Sequence, residues 1–213
     1  MRKVGIFGGT FDPIHHGHLR LALELKQQLR LDEMRLMPSH RPPHRAAPGV
    51  TSAMRVAMVR LAVAQCPALQ IDERELRRET ASFTIDSLIE LRHELGDDVS
   101  LILALGMDAF IDLNTWHRWQ ELLAYAHLVV VARPGYTLPL TGEVADLWRT
   151  KQVAAEVLEV KPCGGILISE LSLLPISSSA IRAHVQRGES PQFLLPDAVL
   201  AYMVEHRLYQ DAG

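Results

Sequence analysis

The sequence predicts an α/β fold: a doubly wound, mainly parallel sheet with helices on both faces and a small helical part at the carboxyl end. Three observations carry this reading. Short apolar runs alternate with segments of helical apolar period along most of the chain. The runs at residues 101–105 and 128–132 are apolar throughout, the pattern of strands buried on both faces. The connections are short, which calls for right-handed βαβ crossovers and a parallel sheet. With 213 residues, 48% of them hydrophobic, the chain can bury one sizeable core. Residues 1–213 are therefore read as one domain, with residues 175–213 as the helical part packed on it.

Taken in order, residues 3–7 form a short apolar run that ends in Gly8-Gly9, and Leu21, Ala22, Leu25 and Leu29 then lie on one helical face. This is strand, glycine turn, helix. Residues 34–37 read as a second strand stopped by Pro38, and residues 39–49 as a Pro/His/Arg loop without apolar period. Ala53, Val56, Ala57, Leu61 and Ala64 define the next helical face, capped by Thr51 or Ser52. Residues 69–71 are a weak strand. Thr84 is the expected cap of a helix carrying Leu88, Leu91 and Leu95, which Gly96 ends. After Arg133-Pro134-Gly135 comes a less regular stretch, then a last strand at 166–168 and helices starting near Ser178 and Asp197. The alternation is Rossmann-like, and such sheets bind ligands at the carboxyl ends of their strands.

Composition excludes several classes. A net charge of −3 gives no global attraction for nucleic acid or an anionic membrane, so an anionic ligand must be held by local groups. Cys66 and Cys163 stand far apart in no CxxC spacing, which supports neither a disulfide scaffold nor a cysteine zinc site and fits a reducing cytoplasm. No apolar run approaches the ~18 residues that a membrane span needs, and the run before Gly8 is too short for a secretory signal.

Two segments carry chemistry. Gly8-Gly9-Thr10-Phe11-Asp12-Pro13-Ile14-His15-His16-Gly17-His18 lies where the first strand gives way to the first helix. Glycines there let backbone N–H groups approach a ligand and the helix start adds partial positive charge, so phosphate is the favoured guest. The imidazoles of His15 and His18 can donate to its oxygens, and at such a turn they are expected to bury little apolar surface. The histidines and Asp12 are metal-capable donors, but no HExxH or distant Cys/His partner accompanies them, and no protein-held metal is expected. Walker A and GxGxxG patterns are absent. Near the other end, Ile176-Ser177-Ser178-Ser179-Ala180-Ile181-Arg182 opens a helix. Its serines are ordinary capping residues, yet Arg182 one turn in allows hydroxyls, free N–H groups and a guanidinium to converge on a polyphosphate.

These two segments together resemble the HIGH-type nucleotidyltransferase superfamily. Pro42-Pro43-His44-Arg45, Ser82-Phe83-Thr84, Gly106-Met107-Asp108, Thr115-Trp116-His117 and Arg133-Pro134-Gly135-Tyr136 extend the resemblance, across nearly the whole chain, to the bacterial nicotinate mononucleotide adenylyltransferases. The pantetheine enzymes of the same fold are similar in the first segment, but typically carry Thr where His15 stands and lack the Ser-Phe-Thr and Thr-Trp-His segments. The resemblance implies transfer of AMP from ATP to nicotinate mononucleotide, with Mg²⁺ assisting. It implies catalytic roles for His15, His18 and Arg182, and an ATP site made by Gly8, Gly9, Thr10, Phe11, His15, His18, Gly106, Asp108, Arg133, Ser177, Ser178 and Arg182. It implies that the mononucleotide meets His44, Arg45, Ser82, Phe83, Thr84, Trp116 and His117. His117 departs from the tyrosine that the family often has there.

The chemistry agrees. A phosphate monoester has a second pKa near 6 and is already ionised at neutral pH, so the protein's task is alignment for in-line attack and stabilisation of the departing pyrophosphate. No covalent intermediate or serine nucleophile is needed. For the pyridine carboxylate, free N–H groups at two expected loop-to-helix junctions, Ser82-Phe83-Thr84 and Thr115-Trp116-His117, suffice without an acidic or basic side chain in the pocket.

Overall fold

The computed structural model describes residues 1–40, 50–64, 66–78, 82–132 and 141–210. The apolar runs become strands β1 (Arg2–Gly9), β2 (Glu33–Pro38), β3 (Gln70–Ile71), β4 (Val99–Gly106), β5 (His127–Ala132) and β6 (Ile166–Glu170). They form one sheet in the order β3-β2-β1-β4-β5-β6, and every neighbouring pair is parallel. The helices are α1 (His16–Gln28), α2 (Ser52–Val63), α3 (Thr84–Leu95), α4 (Met107–Ile111), α5 (Leu122–Tyr125), α6 (Glu143–Lys151), α7 (Val157–Val160), α8 (Ser178–Gln186) and α9 (Asp197–Glu205).

Because side chains alternate along a strand, a sheet covered on both faces splits its core in two. Val4, Ile6, Leu101, Leu103, Leu105, Leu128 and Val130 pack against α3, α4 and α5 through Leu88, Leu91, Phe110 and Leu122. Phe7, Ile102, Ala104, Val129 and Val131 face the other way, against Leu25 of α1, Met58 and Val59 of α2, Ile181 of α8, and Val199 and Met203 of α9. The chain leaves β1 toward one face and β4 toward the other. These two strands are neighbours, with Ile6 opposite Leu103 and Phe7 opposite Ala104. A crevice opens between their carboxyl ends, the place where the winding of the sheet reverses.

Several local expectations change. Thr51 caps α2 by accepting from the Met54 N–H at 3.2 Å, and Ser52 is the first helical residue. The buried face of α2 is Arg55, Val56, Met58 and Val59, not the stripe read through Ala53, Leu61 and Ala64, which are exposed. A charged residue at a core position shifted the apparent stripe. Thr84 is the first residue of α3 rather than its cap; Phe83 holds the cap position with no side-chain hydrogen bond. Pro38 ends β2 from inside the strand, where its missing N–H costs no interior ladder bond. Gly96 closes α3 with φ of 79°, a conformation that favours glycine. Thr115 and Trp116 end a short 3₁₀ turn (Leu113–Thr115) instead of starting a helix.

At the opposite end of the sheet Arg92 ties four segments together. Its guanidinium donates to the carbonyls of Gly96 (2.8 Å), Val99 (2.7 Å), Tyr125 (2.7 Å) and Pro162 (2.8 Å). Arg92→Met leaves these carbonyls without their charged donor, so it should lower the unfolding free energy by about 2–3 kcal/mol in urea titration. Turnover per folded molecule should be unchanged, since the crevice lies at the other end of the strands.

Candidate active site

The chain leaves β1 in a turn whose carbonyls have no ladder to join. Side chains from two helices satisfy them. Arg55 Nη1 of α2 donates to Thr10 O at 2.5 Å, while from α8 Arg182 Nη1 donates to Asp12 O at 2.6 Å and Ser178 Oγ to Pro13 O at 2.9 Å. Beyond α9, the Tyr209 hydroxyl donates to Asp12 Oδ1 at 2.6 Å, and burial together with that bond pushes the phenol up. Asp12 Oδ2 lies 3.7 Å from Arg182. Phe11 sits in the left-handed region with φ of 47°, its ring edge-on to Phe7 and His18. The two chemical segments of the sequence, about 165 residues apart, are thus in direct contact.

His15 occupies the cap position of α1, extended at φ −150°, and His18 lies in the first turn. Their rings stack at 3.6 Å between centroids, and His18 meets the Phe11 ring at 5.1 Å. His18 is therefore packed among rings, not the lightly buried side chain expected. The Nδ1 atoms of both are buried with no partner among the described residues. Burial pushes His15 down to about 4, with His16 adding to the shift, and His18 down to about 3, with His15 adding. At neutral pH both imidazoles are uncharged hydrogen-bonding groups. Space is tight at Gly17: a Cβ there would lie 3.0 Å from the His15 ring and 3.4 Å from Ile176 O, so a side chain would make the imidazole shift. Neither α1 nor α8 has an acidic residue in its first turn, so the partial positive charge at each start stays available to an anion.

From this turn a cavity of about 280 Å³ extends between β1 and β4. Gly8, Gly9 and Thr10 of the turn, Gly106 and Ala109 at the start of α4, and Ser82, Phe83, Thr84, Trp116 and His117 all line it. Phe7, Met37, Leu103 and Leu105 supply apolar wall. Phe83 and His117 pair at 4.4 Å between ring centroids. Glu75 also lines the cavity, a correction to the expectation of a pocket without an acidic side chain. It accepts from Ser87 Oγ at 2.9 Å, and burial pushes its carboxyl up.

Of the residues singled out from sequence, the structure gathers Gly8, Gly9, Thr10, Gly106, Ser82, Phe83, Thr84, Trp116 and His117 around the cavity. It sets Phe11, His15, His18, Ser178 and Arg182 beside the turn at its mouth. Ser177 caps α8, accepting from the Ala180 N–H at 3.2 Å, so its hydroxyl does the ordinary structural work. Asp108 is exposed in the first turn of α4, next to Gly106. Trp116 donates its N–H to Leu113 O at 3.0 Å, so that group is not free for a ligand. His44, Arg45 and Arg133 lie outside the described residues. Among the described residues no group of three or more His, Cys, Asp or Glu side chains could hold a metal ion. Sequence reasoning missed Arg55, Tyr209, Glu75 and Ser39. Only Arg55 carried a signal, a cation spaced with Met58 and Val59 on one helical face.

The cytidylyltransferase-like family model matches residues 6–184. The chain is 56% identical to the "Probable nicotinate-nucleotide adenylyltransferase" of Cellvibrio japonicus, with 97% of this chain and 98% of that protein covered. It is 48% identical to the protein of the same name from Aeromonas hydrophila, with 98% of each covered. Among solved structures, the Plasmodium falciparum nicotinic acid mononucleotide adenylyltransferase complexed with NaAD superposes with a TM-score of 0.73 at 16% identity, covering 98% of each chain, which supports the fold. The chain belongs to the cytidylyltransferase-like family.

The lowered histidines make a pH prediction. Between about pH 6.5 and the folded values near 4 and 3 the unfolded chain binds more protons, so stability rises with pH there and is lost as pH falls through that window. Urea midpoints measured from about pH 7 down to 4 should fall, and His15→Gln should flatten the profile. An equal slope in native and variant protein would mean that other groups govern acid sensitivity.

Proposed function

We propose that this member of the cytidylyltransferase-like family transfers AMP from ATP to nicotinate mononucleotide, forming nicotinate adenine dinucleotide (deamido-NAD) and pyrophosphate in NAD biosynthesis. One observation carries the reading: the glycine turn, Gly106, and the Ser82-Phe83-Thr84 and Trp116-His117 segments line one cavity, and the Arg182 helix is hydrogen-bonded to the turn that continues from it. Near-full-length similarity to proteins named for this activity supports it.

In this reading a phosphate oxygen of the mononucleotide attacks the α-phosphorus of ATP in line. The α–β bridging bond breaks, and pyrophosphate leaves with the electron pair. The nucleophile is already ionised, so no residue serves as base. His15 and His18 act as neutral N–H donors to the phosphates, which fits their depressed pKa values. Arg182 keeps Nη1 on Asp12 O, and its Nη2, which also reaches Ser179 Oγ at 3.3 Å, offers N–H to the β- and γ-phosphates together with the first N–H groups of α8 at Ser178. Thr10 and Phe11 shape the turn beside them. Gly106 and Asp108 line the nucleotide crevice, with Asp108 near the ATP ribose, and the resemblance adds Arg133 to the ATP site. His44 and Arg45 take the phosphate of the mononucleotide. Phe83, Trp116 and His117 enclose the pyridine ring, with the Thr84 end of α3 toward its carboxylate. Burial of Glu75 disfavours its charged form and so limits like-charge repulsion there. Mg²⁺ bound with ATP would supply neutralisation of phosphate charge.

Among the described residues no helix is long and apolar enough to cross a membrane. We place the reaction in the cytoplasm, with the two nucleotides as partners and neither nucleic acid nor membrane involved.

Incubation with ATP, Mg²⁺ and nicotinate mononucleotide should release pyrophosphate; no release would refute the reading. His18→Ala should lower kcat per folded molecule by ~10²-fold or more, as expected for loss of a preorganised donor. It should also cost some stability, because the ring is packed. Arg182→Lys should weaken ATP use although the charge is kept, since an ammonium cannot grip two oxygens as a planar fork does. The amide mononucleotide should be used about a hundredfold less well by kcat/KM, because its NH₂ turns a donor toward donors. Equal kcat/KM for acid and amide would remove the assignment of the Thr84–Trp116 pocket.

A further inference from the structure

Arg55 is a charged side chain with no exposed surface, standing in the apolar face of α2. Among the described residues it pairs with no carboxylate within salt-bridge distance. Its partners are neutral: Thr10 O at 2.5 Å on one side, and Ser39 O at 2.8 Å, His40 O at 3.1 Å and Ser52 Oγ at 3.1 Å on the other. Ser52 Oγ itself donates to His40 O at 2.8 Å, so helix start, strand end and guanidinium form one knot. An arginine buried this way is a costly means of satisfying carbonyls, since the charge loses its water and gains, besides neutral acceptors, only the attraction of the Asp12 carboxylate beyond salt-bridge distance. What it accomplishes is reach. Thr10 and Ser39 lie in different connections, after β1 and after β2, and both line the cavity. A single planar fork holds the two at a fixed spacing.

We infer that Arg55 is a positioning residue that sets the distance between the nucleotide-phosphate turn at Thr10 and the cavity wall at Ser39, and so aligns the two substrates of the proposed reaction with each other. The inference rests on that reaction. The turn has further supports in Arg182, Ser178 and Tyr209, and the Ser39 N–H donated to Gly9 O at 2.9 Å is the last backbone tie between the two connections, continuing the β1–β2 ladder. Loss of the fork therefore leaves each half-site able to bind its own ligand. It removes the side-chain brace that pins the Thr10, Ser39 and His40 carbonyls beyond the last ladder bond, and in-line attack is far more sensitive to small shifts between the halves than binding is. The buried positive charge also lies behind the turn where the triphosphate would rest, which gives the polyphosphate a second reason to prefer the native residue.

The test is a split between kcat and the binding constants. Arg55→Lys keeps the charge but cannot hold Thr10 and Ser39 together; Arg55→Met removes both functions. Ser52→Ala leaves Arg55 in place and removes one leg of the knot. Folding is checked by thermal denaturation and circular dichroism, and Kd is measured separately for each substrate by calorimetry, using a non-hydrolysable ATP analogue for the nucleotide. Arg55→Lys should lose about 10- to 100-fold in kcat while each Kd changes by less than about threefold. Ser52→Ala should lose kcat by a smaller factor in the same direction, and Arg55→Met should weaken the ATP analogue as well. Folded Arg55→Lys and Ser52→Ala proteins with native kcat would overturn the inference, as would kcat falling only in proportion to weakened binding. If both arginine variants fail to fold, Ser52→Ala alone decides by the same split. Absence of any pyrophosphate release by the native protein would instead be a failure of the proposed reaction.

Discussion

The constraint on which the site depends is the turn at residues 10–13. A parallel strand that ends at a crevice leaves carbonyls without ladder partners, and buried carbonyls must find donors. Here the donors are Arg55, Arg182 and Ser178, from helices formed early and late in the chain, with Tyr209 fixing the Asp12 carboxylate. The phosphate end is therefore complete only when α8 and the segment after α9 have docked on the face built by α1 and α2. The residues that brace the turn from behind also bring the Arg182 helix to its front. Packing and function are here one set of hydrogen bonds.

The electrostatic character of this end follows from its burial. Two imidazoles stacked at 3.6 Å beside a phenylalanine ring cannot both be charged without large cost. They remain neutral, and positive character comes from N–H dipoles, from two helix starts without acidic residues, and from Arg182. In the proposed reading such a site would hold polyphosphate by directed donors and not by a pool of mobile cations. Directed donors are suited to a reaction in which charge moves from one phosphate bridge to another, because they need no rearrangement as it moves. Gly17 belongs to the same design: its lack of a side chain lets the His15 ring and Ile176 approach the start of α1.

Strand–helix alternation, the glycine turn and the serine-arginine segment were legible because each has a local signature. Fully apolar runs at 101–105 and 128–132 meant strands buried on both faces, and they became β4 and β5. What stayed hidden is what depends on tertiary contact. Arg55 reads as a surface charge until α2 is rolled onto the sheet, and that same residue caused the buried face of α2 to be misread. Tyr209 acts across nearly the full chain, and no periodicity signals such a bond. Glu75 sits in a 3₁₀ turn (Arg74–Arg77), where an acidic residue is ordinarily exposed, and only its packing against Ser87 and the cavity marks it. The helix expected to begin near Thr115 proved to be the end of a 3₁₀ turn, because Thr and Asp neighbours suit either terminus.

In the proposed reading the cavity meets two different chemistries. Phe7, Met37, Leu103 and Leu105 give it apolar wall, which favours any flat ring and distinguishes few. Donors near Gly8, Gly9 and Thr10 would meet phosphate, which every mononucleotide and triphosphate carries. Discrimination would then fall to the wall where Thr84 opens α3 and the Phe83 and His117 rings close on each other. There the contest is between a ring carboxylate and a carboxamide of almost the same size. Shape cannot separate them, whereas the direction of fixed donors can, because a buried donor facing another donor leaves both unpaired. Glu75 sits in that wall with its charged form disfavoured by burial and its oxygen held by Ser87.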